Sequence, residues 1–108
     1  MITHFHAHIY YEDTSRDLAN NLRTSIEENF IVEMGRWREQ PVGPHPQPMY
    51  QVSFQPGLFG SFVPWLMLNR NPLSVFVHPN TESSILDHTK HALWMGNPLK
   101  LRLKKLDP

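Results

Sequence analysis

Cysteine is absent from the 108-residue sequence, which excludes disulfides, thiolate zinc sites and cysteine nucleophiles. Any metal site in this chain must therefore use nitrogen and oxygen ligands. An excess of charge is absent as well, since 10 Lys and Arg residues balance 10 Asp and Glu residues. Without a positive field to attract phosphates, nucleic-acid binding is not expected.

Long hydrophobic runs are also missing, because none approaches the roughly 20 residues that cross a bilayer. The first residues lack the basic and apolar regions of a signal peptide. Glycine-rich phosphate loops, nucleophile elbows and paired catalytic carboxylates are not found either. With 40% hydrophobic and 19% charged residues, we expect a single soluble, cytoplasmic domain over residues 1–108, with no membrane partner.

Alternating and helical spacings predict the order of the elements. Residues 4–11 alternate with a period of two, which gives a strand with one apolar face and one histidine face. The remaining predicted elements are a helix over 15–29, strands over 31–37 and 50–55, a helix over 62–68 with Pro64 in its first turn, a strand over 73–78, a helix over 85–95 and a strand over 99–103. This order predicts an α+β fold, a ferredoxin-like β-α-β-β-α-β sandwich with an added C-terminal helix and short strand.

Seven histidines are unusual for this length, and the predicted topology brings several of them together. The first and last strands of a ferredoxin-like unit are neighbours, so His78 should approach the histidines of the first strand, on the open face opposite the helices. Side chains two apart on one strand lie roughly 7 Å apart, within reach of a shared metal. We therefore predict His6, His8 and His78 as ligands of Fe(II), Zn(II), Cu or Ni. The alternative is an ordinary polar strand face.

Two further histidines lie outside the predicted strands. His45 lies between two prolines that restrict its backbone, so it is either a preorganised acid/base or substrate-binding group or an ordinary turn residue. His88 follows Asp87 at a predicted helix start, where adjacent side chains diverge by about 100°. We expect His88 to face the site and Asp87 to cap the helix.

Five blocks of sequence, in order over about residues 4–101, resemble the DOPA 4,5-dioxygenase family. Each block is weak alone, but their ordered combination is specific. The blocks are His6-Ala-His8-Ile-Tyr10, Gly43-Pro-His45-Pro, Pro64-Trp65-Leu66 with Asn69-Arg70, Leu73-Ser-Val with Val77-His78-Pro79, and Asp87-His88-Thr89 followed by Ala92-Leu93-Trp94-Met95-Gly96.

The resemblance implies a ferredoxin-like, often homodimeric enzyme that uses non-haem Fe(II) and O₂ for extradiol cleavage of a catechol such as DOPA. On this basis His6, His8 and His78 hold iron, or Zn(II) or another divalent metal in a crystal. His45 or His88 then transfers protons. Such sites usually include a carboxylate, for which Glu12 and Asp13 are candidates with helix capping as their alternative, and an all-histidine site would also fit.

One segment departs from the family, because Thr81-Glu82-Ser83 replaces the Thr-Gly-Asp that many members carry. The departure leaves open a second function, a non-catalytic dimeric module that binds a metal or an aromatic ligand. A third possibility is structural, with the sheet face buried in a dimer. An open face bearing Tyr10 and Phe76 would favour such self-association.

Overall fold

Strand β1 (His4–Tyr10) lies at the centre of a five-stranded antiparallel sheet. The structure is a computed structural model that describes residues 1–106, so the last two residues of the predicted 1–108 domain lie outside the described residues. The other elements are α1 (Arg16–Asn29), β2 (Glu33–Met34), β3 (Met49–Phe54), α2 (Phe59–Asn69), β4 (Val75–Asn80), α3 (Ser84–Asp87) and β5 (Leu93–Met95). Within residues 1–106, none of the helices has both the length and the apolar character that spanning a bilayer requires.

The strand order is β2-β3-β1-β4-β5, so the ferredoxin-like arrangement is confirmed with β5 added beside β4. The register sets Ala7 of β1 opposite Val52 of β3 and Val77 of β4. These small and β-branched residues form the floor on which α1 and α2 pack. The predicted helix-covered face of the sheet is therefore an apolar core.

Both helices contribute buried side chains to that core. Ala19, Leu22 and Ile26 of α1 are buried at intervals of three and four residues, as the helical period requires. Phe62 of α2 is fully buried, and its ring centroid lies 4.9 Å from those of Phe30 and Phe54. Aromatic packing therefore joins α2 to the sheet.

The predicted helix over 85–95 is wrong beyond its first turn. Helix α3 ends at Asp87, and the chain then enters β5, where Leu93 pairs with Val77 and Met95 with Val75. The hydrogen bonds offered by the free edge of β4 decide this conformation, and they are not visible in local spacing. The predicted strand over 99–103 is also wrong, since 99–102 are irregular and Leu103–Lys105 form a 3₁₀ turn.

Two elements have bounds that differ from the predictions. The strand predicted over 31–37 is reduced to β2, Glu33–Met34. Helix α2 begins at Phe59 rather than at 62, so Pro64 lies inside the helix and not in its first turn.

The prediction of an open histidine face is wrong at the centre of that face. Tyr10 and Phe76 are 1% and 0% exposed because Trp94, Leu99 and Leu101 pack against them. The segment over residues 94–101 covers this face, and it is followed by Arg102, whose backbone N–H donates to the Pro44 carbonyl at 2.8 Å. Tyr10 and Phe76 therefore offer no exposed aromatic surface for self-association, and the homodimer stays a prediction.

Candidate metal centre

Five histidines from four segments meet on the face of the sheet opposite the helices. His6 and His8 lie on β1, and His78 lies on β4 directly opposite His6. His45 comes from the proline-rich loop, with its ring centroid 4.1 Å from that of His8. His88 follows α3, and its ring centroid lies 4.2 Å from that of His78. All five residues singled out from the sequence therefore lie in one cluster.

The cluster contains two sets of three nitrogens that could hold a metal ion. One set is His6, His8 and His78, and the other is His8, His45 and His88. In each set the candidate ligand atoms lie within 4.8 Å of one another. His8 belongs to both sets, so geometry alone leaves two placements of an ion.

Hydrogen bonds fix which nitrogen two of these rings present. A carbonyl oxygen only accepts, so Nδ1–H of His78 donates to the Pro79 carbonyl at 2.7 Å. In the same way, Nδ1–H of His88 donates to the Ser84 carbonyl at 2.8 Å. A neutral imidazole carries one proton, so Nε2 is bare in both rings. Backbone partners of this kind commonly orient metal-binding histidines.

The residues present fit a transition metal. Nε2 of His8 and Nε2 of His78 lie 3.0 Å apart, a buried hydrogen bond in which Nε2–H of His8 donates to the bare Nε2 of His78, and the same separation suits two ligands of one ion. Two nitrogens at right angles on metal–imidazole bonds of about 2.1 Å would be separated by roughly 3 Å. Nδ1 of His8 is buried and has no hydrogen-bond partner within residues 1–106, so the ring carries a polar atom that the neighbouring residues leave unsatisfied.

Carboxylates belong to neither candidate set within the described residues. Glu12 and Asp13, the candidates from sequence, lie instead in a short 3₁₀ helix beyond β1, of which Glu12 is the N-cap. Their alternative role in capping is thus what the structure shows for Glu12. The donor set is all nitrogen, which suits Fe(II), Zn(II), Cu or Ni better than Mg²⁺ or Ca²⁺.

Burial keeps four of the five clustered imidazoles neutral. Burial is the largest cause that lowers the pKa of His6, His45 and His78 to about 4, and neighbouring imidazoles lower them further. For His78, the bond to the Pro79 carbonyl acts in the opposite direction without reversing the shift. Burial likewise lowers the pKa of His8 well below its usual value. Neutral imidazole is the form that binds metal ions.

Tyr10 also touches the cluster, although the sequence did not single it out as a site residue. Its hydroxyl oxygen lies 2.6 Å from Nδ1 of His45, and both side chains are buried. Tyr10 stacks on Trp94 with ring centroids 5.7 Å apart. The available signal was its position two residues after His8, which puts both side chains on one strand face.

Asp87 orders the loop before α3 rather than capping that helix. Its carboxylate accepts from the backbone N–H and the hydroxyl of Thr81, each at 2.7 Å, and from Nδ1 of His91 at 3.0 Å. Although burial acts to raise it, these bonds lower the pKa of Asp87. The N-cap is Ser83, whose hydroxyl accepts from the N–H of Leu86 at 3.2 Å. The loop therefore fixes the position from which His88 reaches the cluster.

Two cavities adjoin the cluster. A cleft of about 330 Å³ lies beside His6 on the histidine face. Its other lining residues are His4, Glu33, Met34, Gly35, Gln51 and Ser53. A larger, mainly apolar cavity of about 430 Å³ is lined by Phe5, Val77 and Leu93 among others, and His78 is the one member of the cluster in its wall. Each cavity is therefore lined by one member of the set His6, His8 and His78.

Comparisons with known proteins agree with the resemblance seen in the sequence. The Dopa 4,5-dioxygenase family matches residues 5–105. An uncharacterized 21.2 kDa protein of Botryotinia fuckeliana is 41% identical over 92% of the chain, and a DOPA 4,5-dioxygenase of Amanita muscaria is 31% identical over 97%. The chain spans 61% and 50% of the lengths of these two relatives. The crystal structure of a candidate dioxygenase from Nostoc punctiforme, 46% identical, matches with a TM-score of 0.95 and covers 96% of this chain and 90% of its own.

Proposed function

Because this chain belongs to the DOPA 4,5-dioxygenase family, we propose that it is an extradiol dioxygenase that cleaves the ring of a catechol with O₂. Fe(II) is the proposed metal, with His6, His8 and His78 as its ligands. The observation that carries the proposal is the 3.0 Å separation of the Nε2 atoms of His8 and His78, two buried histidines whose pKa values are lowered by burial. Three protein ligands would leave positions open for substrates.

The overall reaction defines what the side chains must do. The bond between one hydroxyl-bearing carbon and the adjacent ring carbon that has no hydroxyl breaks. Both atoms of O₂ enter the ring-opened semialdehyde. Fe(II), when bound, would supply the redox chemistry by which O₂ reacts with the ring. The protein must position the catechol, take up a phenolic proton and return a proton to the product.

His88 supports this proposal as the proton acceptor. Its Nδ1–H is engaged by the Ser84 carbonyl, so its free nitrogen is Nε2, which has a lone pair. The ring packs 4.2 Å from His78, at the edge of the proposed ligand set. His88 is only partly buried, so a proton that it accepts can pass on to solvent. His45 is then the second candidate for proton transfer.

The cleft beside His6 supports a small aromatic substrate. Its volume of about 330 Å³ lies at the lower end of the range of ligand pockets. Gln51 and Ser53 of β3 line its floor on the histidine face, opposite His8 and His6 in the strand register. These polar groups could orient the ring hydroxyls of a catechol toward the ligand set.

The test is to load the purified chain with Fe(II) without air, add DOPA and a panel of catechols, and then admit air. We expect uptake of O₂ with a yellow semialdehyde product. His8→Ala should abolish both signals, whereas Lys90→Ala, which changes an exposed side chain outside both ligand sets, should retain them. Bound iron with neither O₂ uptake nor product would overturn the proposal.

The competing function is a non-catalytic dimeric module that binds a metal or an aromatic ligand. The departure at Thr81-Glu82-Ser83 is the feature that favours it. Such a module would raise the melting temperature with a catechol and iron but would consume no O₂. Analytical ultracentrifugation of the same samples tests the predicted homodimer separately.

A further inference from the structure

Tyr10 and His45 form a short, buried contact between a hydroxyl and a ring nitrogen. The phenol oxygen and Nδ1 lie 2.6 Å apart, and the two side chains are 1% and 5% exposed. Within residues 1–106, His45 is the one hydrogen-bond partner of the Tyr10 hydroxyl. Bulk water therefore does not compete for this contact.

The direction of the hydrogen bond follows from the number of acceptors. A phenol has one proton to donate, and leaving a buried O–H without an acceptor destabilises the fold. Nδ1 of His45 is the acceptor in reach, so the hydroxyl of Tyr10 donates to it. Nδ1 is then unprotonated, and the single proton of the neutral ring resides on Nε2.

We propose that Tyr10 is a positioning residue that holds His45 as the Nε2–H tautomer, so that His45 presents a proton to the site and does not bind the metal. The lone pair on Nδ1 is taken by Tyr10, and Nε2 carries hydrogen. The set His8, His45 and His88 thereby loses one ligand, and the ion belongs to His6, His8 and His78.

The histidines therefore differ in tautomer, and with it in whether Nε2 carries a proton. His78 and His88 donate from Nδ1 to backbone carbonyls, so each presents a bare Nε2. His45 receives a hydrogen bond at Nδ1 and presents Nε2–H. The proton-donating role of His45 in ring cleavage rests on the proposed function, but its tautomer does not.

The tautomer can be read directly in the metal-free protein. With histidine labelled with ¹⁵N, long-range ¹H–¹⁵N spectra at neutral pH separate protonated from bare ring nitrogens. We expect His45 protonated at Nε2 and His78 protonated at Nδ1. Tyr10→Phe keeps the ring against Trp94 but removes the donor, so the Nδ1–H fraction of His45 should rise several-fold.

Tyr11→Phe is the matched control, because the Tyr11 hydroxyl bonds to Arg38 and Glu39 and not to the cluster. It should leave the His45 tautomer unchanged. A wild-type His45 protonated at Nδ1, or a tautomer indifferent to Tyr10→Phe, would overturn the inference. Because no turnover is measured, this failure is separate from that of the dioxygenase proposal, which a lack of O₂ uptake would reveal.

Binding of Zn(II) alone tests the assignment of ligands in a second way. His45→Gln should change the dissociation constant by less than about 3-fold, whereas His78→Gln should raise it by at least about 100-fold, since even partners of metal ligands are worth about 10–100-fold. Equal losses in the two variants would show that His45 is a ligand and would overturn the inference.

Discussion

The two faces of the sheet are both buried, but they are buried by different kinds of residue. On the helix-covered face, Ala7 and Val77 pack against apolar side chains of α1 and α2. On the opposite face, His8 and His78 are as buried as that core, at 2% and 1% exposure. One face therefore contributes apolar burial that stabilises the fold, and the other retains polar groups whose desolvation opposes folding.

The cover over the histidine face explains why its chemistry differs from that of an exposed strand. Tyr10, Met49 and Phe76 form a small apolar cluster there, with Trp94 and Leu101 packed against it. This cluster excludes water from the neighbouring imidazoles, which is the main cause of their lowered pKa values. Burial therefore stabilises the fold on one face and keeps the candidate ligands neutral on the other.

Phe62→Ala should separate the faces with the largest effect. Phe62 is fully buried between Phe30 and Phe54, so its truncation should lower the free energy of unfolding by about 4 kcal/mol. Urea unfolding measures the loss, and the Zn(II) affinity of the folded protein should change by less than about 3-fold. Met67→Ala, an exposed position on the same helix, is the control. A parallel collapse of Zn(II) affinity would refute independence of the two faces.

Acid acts on the histidine face and should have the next largest effect per residue. The pKa values of His45 and His78 are about 4 in the folded chain, against about 6.5 in the unfolded chain. Between these values the unfolded chain binds more protons, so stability falls as the pH falls from about 6.5 to about 4. Each of these buried histidines should account for about 3 kcal/mol.

Urea unfolding of the metal-free protein at pH 7, 5.5 and 4 measures this loss. His78→Gln removes one titrating group and should flatten the dependence on pH. Stability that does not change between pH 7 and 4 would contradict the burial of neutral imidazoles on this face.

The sequence allowed prediction of features that depend on neighbouring residues along the chain. The alternation in β1 predicted which side chains share the face of His6, and the order of elements predicted that His78 lies opposite. The strand β5, which carries Trp94 over the histidine face, was not predictable, because Leu93 and Met95 have spacings compatible with a helix as well as a strand. Only the free edge of β4 decides between them. The Tyr10–His45 contact joins residues 35 apart, so no local pattern encodes it.

His8→Leu should lack the usual cost of a buried substitution. It removes the unpartnered Nδ1 but also the partner of the buried Nε2 of His78, and these effects oppose each other, so the stability of the metal-free protein should change by less than about 1 kcal/mol. Zn(II) affinity should fall by at least about 100-fold. Ala7→Ser, one residue earlier on the helix-covered face, is the opposite case and should lose about 1–2 kcal/mol because it buries a hydroxyl there. Destabilisation by both substitutions would mean that the faces respond alike.

The loop that departs from the family lies at the edge of the histidine face and has its own internal bonds. Thr81 is held by Asp87, and Ser83 replaces the aspartate of many family members at a position where either residue can cap a helix. Glu82 replaces the glycine. Within residues 1–106, every residue with a positive φ is a glycine, so the backbone at Glu82 does not need one.

Glu82→Gly, which restores the family residue, should therefore have the smallest effect of these changes. The exposed Glu82 side chain makes none of the bonds that order the loop, so O₂ uptake should stay within about 2-fold of wild type. Stability should fall by about 0.5–1 kcal/mol, because glycine gives the unfolded chain more freedom. Oxygen-electrode rates and urea unfolding of the two proteins measure these outcomes. A gain in O₂ uptake of 10-fold or more would instead mean that Glu82 restrains His88 through the loop, and the departure would then explain a loss of activity rather than a neutral exchange.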